Sequence, residues 1–340
     1  MKFIIFGAGA VGCYVGARLA ASGQPVALVG RSRVLEPLAL SGLTVTDLDG
    51  FSAQLAPDAL RLSLDFSSAW QSLAALGGSE PTVVLLCVKG AATVAAAQEI
   101  AACCPDGTPV VSLQNGVDNV ARITAAAPTL QALAGMVPYN LVMPSPTQVH
   151  RATMGNLHLA RTSLTEQMAP LWSAAGLPTV LVNDMRAVQW GKLLLNLNNP
   201  VNALSDLPLR EELLNRDYRR VLSALQTEAL AALDRAGITP AKVASAPPRL
   251  LPHLLKLPNW LFTRLAARML RMDPSARSSM WDDVQLGRTT EIDDLCGAVT
   301  RLAAQHGSNA PLNAAMGQLM AAHRRGQRLS GPNLRQALQL

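Results

Sequence analysis

The first nineteen residues, MKFIIFGAGAVGCYVGARL, constrain the fold more than any other stretch of the chain. The apolar run Phe3-Ile4-Ile5-Phe6 reads as a buried strand, and the alanine- and leucine-rich residues after Val11 read as a helix. Between them stands Gly7-Ala8-Gly9-Ala10-Val11-Gly12, with glycines at G-x-G-x-x-G spacing in a strand–turn–helix context. In such a unit Gly7 allows the tight turn, Gly9 lets the backbone approach a pyrophosphate, and Gly12 lets helix and strand pack closely. The start of the helix then offers its free N–H groups to the anion. The pattern predicts a dinucleotide site formed by Gly7, Ala8, Gly9, Ala10, Val11 and Gly12. A merely glycine-rich βα turn is the plainer alternative.

That fingerprint anticipates a second signal about 20 residues on, at the end of the next strand. Pro25-Val26-Ala27-Leu28-Val29 reads as that strand, and it ends in Gly30-Arg31-Ser32-Arg33. An acidic residue here would accept from the ribose hydroxyls, but this chain has none. Arg31 and Ser32 suit a 2′-phosphate instead, because a guanidinium is a bidentate phosphate partner and a hydroxyl can donate beside it. The expected cofactor is therefore NADP(H). An exposed basic turn would show the same residues.

A length of 340 residues predicts two domains. With 49% apolar residues but only 4% aromatics, their cores must be aliphatic. The net charge of +6 is concentrated between Ala241 and Met272, which hold Lys242, Arg249, Lys256, Arg264, Arg268 and Arg271 and no acid. The rest is close to neutral, so no nucleic-acid surface is expected. The five cysteines show no CxxC pairing, which suits buried thiols in a reducing compartment and predicts no metal site. The apolar start is short and passes into the glycine turn, unlike a signal peptide. No apolar stretch approaches the roughly 18 residues of a membrane span. A soluble, cytoplasmic protein is expected.

Short apolar strands alternate with helical segments up to about Val182, as in a doubly wound α/β sheet. Thr82–Val88 and Val110–Gln114 are two further buried strands, and the alternation around Val149–Leu159 predicts a closing hairpin with Gly155 near its turn. From Asp184 onward the strand signals stop. Helices are predicted over 184–198, 211–236, 276–304 and 310–325, with Gly237 and Gly307 as C-cap residues. The boundaries are thus 1–182 for a nucleotide-binding domain and 183–340 for a helical one. The proline-rich stretch 240–275 reads as a broken excursion. It should contain a basic amphipathic helix near 259–271 whose Leu/Trp/Phe face packs on the domain.

Ligands of doubly wound sheets sit beyond the carboxyl ends of the strands. Lys89 in Cys87-Val88-Lys89-Gly90 and Asn115 in Gln114-Asn115-Gly116 follow two such ends, though both also read as ordinary loop residues. In Trp190-Gly191-Lys192-Leu193-Leu194-Leu195-Asn196, Lys192, Asn196 and Asn199 share one helical face. Further on, Ser279, Asp283, Gly287 and Glu291 step along another, and a glycine tolerated mid-helix suggests close approach by a ligand or a helix. Solvated stripes would look alike.

Taken together these residues resemble the ketopantoate reductase (2-dehydropantoate 2-reductase) family. The resemblance runs nearly end to end: GAGAVG, VKG, QNG, the WGKLLLN…NP…AL stretch, and SSMWDD…GRTTEID. It implies a Rossmann-type domain followed by an all-helical domain like the carboxyl-terminal domain of 6-phosphogluconate dehydrogenase. It implies an active site in the cleft between them and NADPH-dependent reduction of a small 2-oxo acid, 2-dehydropantoate, in pantothenate synthesis. Lys192 resembles the catalytic lysine that protonates the carbonyl oxygen, and Glu291 the glutamate that positions it. Ser279 resembles the serine that holds the substrate carboxylate, and Asn196 and Asn199 the asparagines on its hydroxyl and carbonyl groups. Asn115 and Lys89 look like cleft residues at cofactor and substrate. Leu209 and Ala276 stand where some members carry substrate-binding asparagines, which keeps another small 2-oxo or 3-oxo acid open as the substrate. A homodimer is the base-rate expectation.

Overall fold

The computed structural model describes every residue except 244, 245, 268, 269 and 271. It falls into two compact units, Met1–Met185 and Arg186–Leu340.

The first unit runs β1 (Lys2–Phe6), α1 (Ala10–Ala21), β2 (Val26–Val29), α2 (Ser32–Ser41), β3 (Leu43–Asp47), β4 (Ser52–Leu55), β5 (Arg61–Ser63), α3 (Phe66–Ala74), β6 (Thr82–Leu86), α4 (Thr93–Cys103), β7 (Pro109–Ser112), α5 (Asn119–Ala126), β8 (Gln131–Met136), β9 (Leu141–Ser145), β10 (Gln148–Arg151), β11 (Leu157–Ala160), α6 (Ser163–Ala174) and β12 (Thr179–Val182). The large sheet has the order β12-β11-β8-β7-β6-β1-β2-β5. From β5 to β8 every pairing is parallel, which is the 3-2-1-4-5-6 order of a dinucleotide-binding sheet. β11 then adds antiparallel to β8, and β12 parallel to β11. Alternation along β1 explains the layering. Phe3 and Ile5 enter the core on one face with Leu28, Val83 and Leu85. Ile4 enters the core on the other with Val29, Val84 and Leu86.

The hairpin expected over 149–159 does not form. β10 and β11 belong to different sheets, and Gly155, at φ +151°, lies on the link between them. The actual hairpin is β9–β10, inside a second sheet of order β4-β3-β10-β9. A buried charge cluster joins that sheet to α1: Asp47 at the end of β3 accepts from Arg18 at 3.0 Å and pairs with Arg151 at 3.3 Å.

The second unit contains α7 from Arg186 on (α7 is Met185–Asn196), then α8 (Asn198–Ser205), α9 (Leu209–Leu214), α10 (Arg216–Arg235), α11 (Leu251–Lys256), α12 (Asn259–Leu265), α13 (Ser279–Gln285), α14 (Ala298–Gln305), α15 (Pro311–Ala322) and α16 (Gly331–Ala337). No strand occurs among its described residues. Gly237 and Gly307, at φ +66° and +67°, follow α10 and α14 as left-handed caps.

The helices expected over 184–198 and 211–236 are interrupted at Leu197 and Asn215, and two further expectations fail for local reasons. The helix expected over 276–304 is broken. α13 ends in a Schellman-type turn, with Gly287 N–H donating to Val284 O and Arg288 N–H to Asp283 O, and Gly287 takes φ +60°. Its missing Cβ would meet no atom within 4 Å, so this glycine serves backbone conformation and not close approach. The chain becomes helical again only in a π-helical turn, Asp293–Gly297, that leads into α14. The second failure concerns 259–271. Within the described residues the helix is α12, and Phe262 is buried as expected, but Trp260 is 70% and Leu265 60% exposed. Arg268 and Arg271 lie outside the described residues.

Candidate functional site

The chain runs from β1 to β2 and β5 on one side of the sheet, then returns to β6, β7 and β8 on the other. The order therefore reverses between β1 and β6, and ligands of such sheets bind beyond the carboxyl ends of the strands at that point. The glycine turn leaves β1 there. Gly7 takes φ +118°, and a Cβ on it would lie 2.6 Å from the backbone of Cys87 and Val88. A Cβ on Gly12 would lie 2.0 Å from Gly7 O. Gly9 is different: a Cβ there would meet nothing within 4 Å. Gly7 and Gly12 thus close the turn, and Gly9 leaves open space beside it.

Gly9 is the N-cap of α1, no side chain caps that helix, and the first intrahelical bond is Cys13 N–H to Gly9 O. The amides of Ala10, Val11 and Gly12 therefore lead the helix, in the arrangement that binds a phosphate. Ala8 supports the turn from behind, since a Cβ on Gly30 would lie 2.8 Å from its own. This contact sets the end of β2 against the turn. Arg31 and Ser32 follow immediately, both exposed, at the start of α2. These residues fit a dinucleotide: open space at Gly9, uncapped amides, and a cation with a hydroxyl at the neighbouring strand end.

Lys89 and Asn115 follow β6 and β7, both half-buried. Sequence reasoning missed what joins them. The Gln114 side-chain amide donates to Val88 O and to Thr93 Oγ1, each at 2.8 Å, and accepts from the Ser112 hydroxyl at 3.0 Å. Thr93 donates to Asn119 Oδ1 at 3.2 Å, and Asn119 donates to Asn115 O at 2.7 Å. Gln114, Thr93 and Asn119 are all buried.

In the helical unit, Lys192 and Asn196 stand one turn apart on α7 and are half-buried. Burial lowers the Lys192 ammonium to about 8. The adjacent Gly191 is required by packing, because a Cβ there would lie 2.2 Å from Ala241 O. Asn199 is not on α7. The helix is interrupted at Leu197, and Asn199 lies in the first turn of α8. Ser278, not Ser279, caps α13, accepting from Trp281 N–H and donating to Asn199 O at 3.2 Å. Ser279 is exposed in the first turn of that helix. Glu291 is half-buried beyond the Gly287 turn, so it does not share a helical stripe with Ser279.

The residue that unites the Asn199 and Ser279 elements is Asn202, again missed. It is fully buried, accepts from Ser278 N–H at 2.9 Å, and donates to Leu207 O at 2.9 Å and Glu212 Oε2 at 2.8 Å. Burial pushes the Glu212 carboxyl up to about 8, against the two amides of Asn202 and Asn198 that lower it. An asparagine in a helix interior was the one available signal, since such residues disfavour that position without a partner. Among the described residues no His/Cys/Asp/Glu group could hold a metal ion. None of the described helices is long and apolar enough to cross a membrane.

A glycine turn at the β1/β6 reversal with uncapped helix amides beside it is the arrangement of dinucleotide-binding proteins. More narrowly, the chain belongs to the ketopantoate reductase PanE/ApbA family: residues 3–163 match that family and residues 184–324 match its C-terminal domain. Its members are NAD(P)H-dependent oxidoreductases acting on CH–OH groups. Over 319 residues it is 26% identical to the 2-dehydropantoate 2-reductase of Halobacterium salinarum, covering 92% of this chain and 95% of that protein. A PanE/ApbA family ketopantoate reductase from Ralstonia eutropha JMP134 superposes with a TM-score of 0.78 at 28% identity, covering 95% of this chain and 98% of that one. D-mandelate dehydrogenase, solved with NADH and anilino(oxo)acetate, shares the fold at a TM-score of 0.74 and 19% identity, with 95% and 98% covered.

Proposed function

We propose that this protein reduces 2-dehydropantoate to pantoate with NADPH, as a cytoplasmic enzyme of pantothenate synthesis. Residues 1–182 hold the cofactor, and residues 183–340 hold the substrate and the proton donor. The observation that carries this reading is that Lys192 and Asn196, both half-buried, stand one turn apart on α7, where burial also lowers the Lys192 ammonium to about 8. A general acid works best with a pKa near the working pH, and an ordinary lysine is too weak a donor.

When bound, a reduced nicotinamide would supply the hydride for the carbonyl carbon and leave oxidised. The amides of Ala10, Val11 and Gly12 would hold the pyrophosphate at the open side of Gly9, and Arg31 and Ser32 would hold the 2′-phosphate. Lys89 and Asn115 flank the nicotinamide end. Ser279 binds the substrate carboxylate, and Asn196 and Asn199 bind its hydroxyl and carbonyl oxygens. As negative charge grows on the carbonyl oxygen, Lys192 Nζ first stabilises it and then gives up its proton. The products are the alcohol and a neutral amine, which regains its proton from water. Glu291 orients Lys192.

One observation favours a second reading, the same chemistry on a different small 2-oxo acid. Leu209 N–H donates to Ala276 O at 2.8 Å, so two positions that carry amides in some members are neighbours here and both apolar. Such a wall suits a substrate with fewer hydroxyls. NADPH oxidation with 2-dehydropantoate and with a panel of 2-oxo acids separates the readings. The highest kcat/KM on 2-dehydropantoate supports the first, and no turnover of it removes the first.

A further inference from the structure

We infer that Gln114 is a positioning residue for the nicotinamide cofactor, clamping the Lys89 loop after β6 to the Asn115 loop after β7, beside the point where the strand order reverses. The inference rests on the proposed dinucleotide site and adds to it a residue that need not touch the ligand.

The backbone at Cys87–Val88 is held from two sides. On one side the glycine turn presses on it, with the absent Cβ of Gly7 only 2.6 Å away. On the other side the Gln114 amide donates to Val88 O at 2.8 Å. A carbonyl so placed fixes the peptide plane that leads into Lys89, which itself opens the short 3-10 turn Gly90–Ala92. The same amide donates to Thr93, which donates to Asn119, which donates to Asn115 O. Each donor in this chain has an acceptor, so the directions are mutually fixed, and the group is shielded from water. Residues after three different strands, β1, β6 and β7, therefore hold one shape. A ligand that touches all three binds more tightly if they are fixed before it arrives, because no ordering cost falls at binding. Val88 O can only accept, so it selects the amide orientation that points the N–H groups at the β6 side, and Ser112, buried beneath, donates to Gln114 Oε1.

The chemistry gives Gln114 no part in proton or hydride transfer, so its loss should act on cofactor binding and leave the chemical step alone. The test is Gln114→Met, which keeps length and apolar volume and removes both donors. Binding is read by fluorescence titration with NADPH, or with NADH if the unmodified protein prefers it, beside steady-state kinetics and thermal unfolding. The expected result is a rise of about tenfold or more in cofactor Kd and KM, equivalent to about 1.4 kcal/mol. At saturating cofactor kcat should stay within about threefold, since no transition-state contact is removed. Thr93→Ser, which keeps the hydroxyl, should bind like the unmodified protein, whereas Thr93→Val should shift Kd in the same direction as Gln114→Met. A Kd within twofold of the parent in Gln114→Met overturns the inference, as does a fall in kcat with cofactor KM unmoved. If Gln114→Met does not fold, the Thr93→Val and Thr93→Ser pair decides by the same Kd criterion. An unmodified protein that binds neither nucleotide would refute the dinucleotide site itself, a result distinct from equal binding by parent and variants.

Discussion

Gly12 stands so close to Gly7 that a Cβ on the first would lie 2.0 Å from the carbonyl oxygen of the second. Two glycines of one motif are thus bound by a steric condition that no other residue meets. Gly9, between them, faces open space and is bound by none. The two positions should separate folding from binding. Gly12→Ala should lower stability by about 3 kcal/mol or more, as overpacking against backbone does. Gly9→Ala, at φ −88°, should cost only about 1 kcal/mol as a poorer N-cap, yet raise the NADPH Kd at least about tenfold. Thermal melts and nucleotide titrations of the two proteins check this. Equal nucleotide affinity in Gly9→Ala and the parent would show that nothing approaches Gly9.

Arg31 and Ser32 make a claim about which nucleotide is preferred. If Arg31 meets only the 2′-phosphate, as proposed, Arg31→Ala should raise KM for NADPH about tenfold or more and leave NADH kinetics within about twofold. Equal effects on both cofactors would refute the phosphate role and leave Arg31 as an exposed turn residue.

The glycine turn was legible in sequence because its spacing is fixed within the turn itself, although Gly7 answers to Cys87 and Val88 on the neighbouring strand end and Gly9 to no protein atom. The bonds that shape the rest are not local. Gln114 reaches 21 residues back to Thr93, and Ser278 N–H reaches 76 residues back to Asn202. No spacing rule connects such pairs. Gly287 misled for another reason. The i+4 pattern of Ser279, Asp283, Gly287 and Glu291 continues through the residue that ends the helix, and a left-handed cap and a tolerated mid-helix glycine look identical in sequence. The expected 149–159 hairpin failed because alternation reports a half-buried strand without reporting which sheet it joins.

Glu212 should give stability a pH dependence of known sign. Its carboxyl is raised from 4.5 to about 8, so the folded state keeps a proton that the unfolded chain has released. Its contribution is present in full below about pH 4.5 and is lost as pH rises to about 8. Lys192, lowered from 10.5 to about 8, acts in the opposite direction and only above about pH 8. Between pH 5 and 8 the urea midpoint of the parent should therefore fall relative to that of Glu212→Gln, which cannot ionise. The difference should amount to about 3–4 kcal/mol. Parallel curves for the two proteins would contradict a neutral buried carboxyl.

Asn202 has three partners, and truncation would remove its bonds to the buried Ser278 N–H and Glu212 carboxyl and to the half-buried Leu207 O. Asn202→Ala should cost about 3 kcal/mol, at the upper end for unsatisfied buried groups. It should also raise KM for the 2-oxo acid more than KM for NADPH, because the elements it joins carry Asn199 and Ser279. Denaturant titration and separate KM measurements for the two substrates check both parts. A KM rise confined to NADPH would contradict the assignment of these elements to the acid.

The most direct test is the pH profile of 2-dehydropantoate reduction in the parent and in Lys192→Ala, with NADPH saturating. If Lys192 is the proton donor, the rate of the parent falls as pH rises through about 8, since only the ammonium can give a proton. Lys192→Ala should then lose at least about 10²-fold in kcat, the low end for general acid catalysis, and with it that limb of the profile. A variant that keeps kcat within about threefold and the same alkaline limb would contradict the account at its centre.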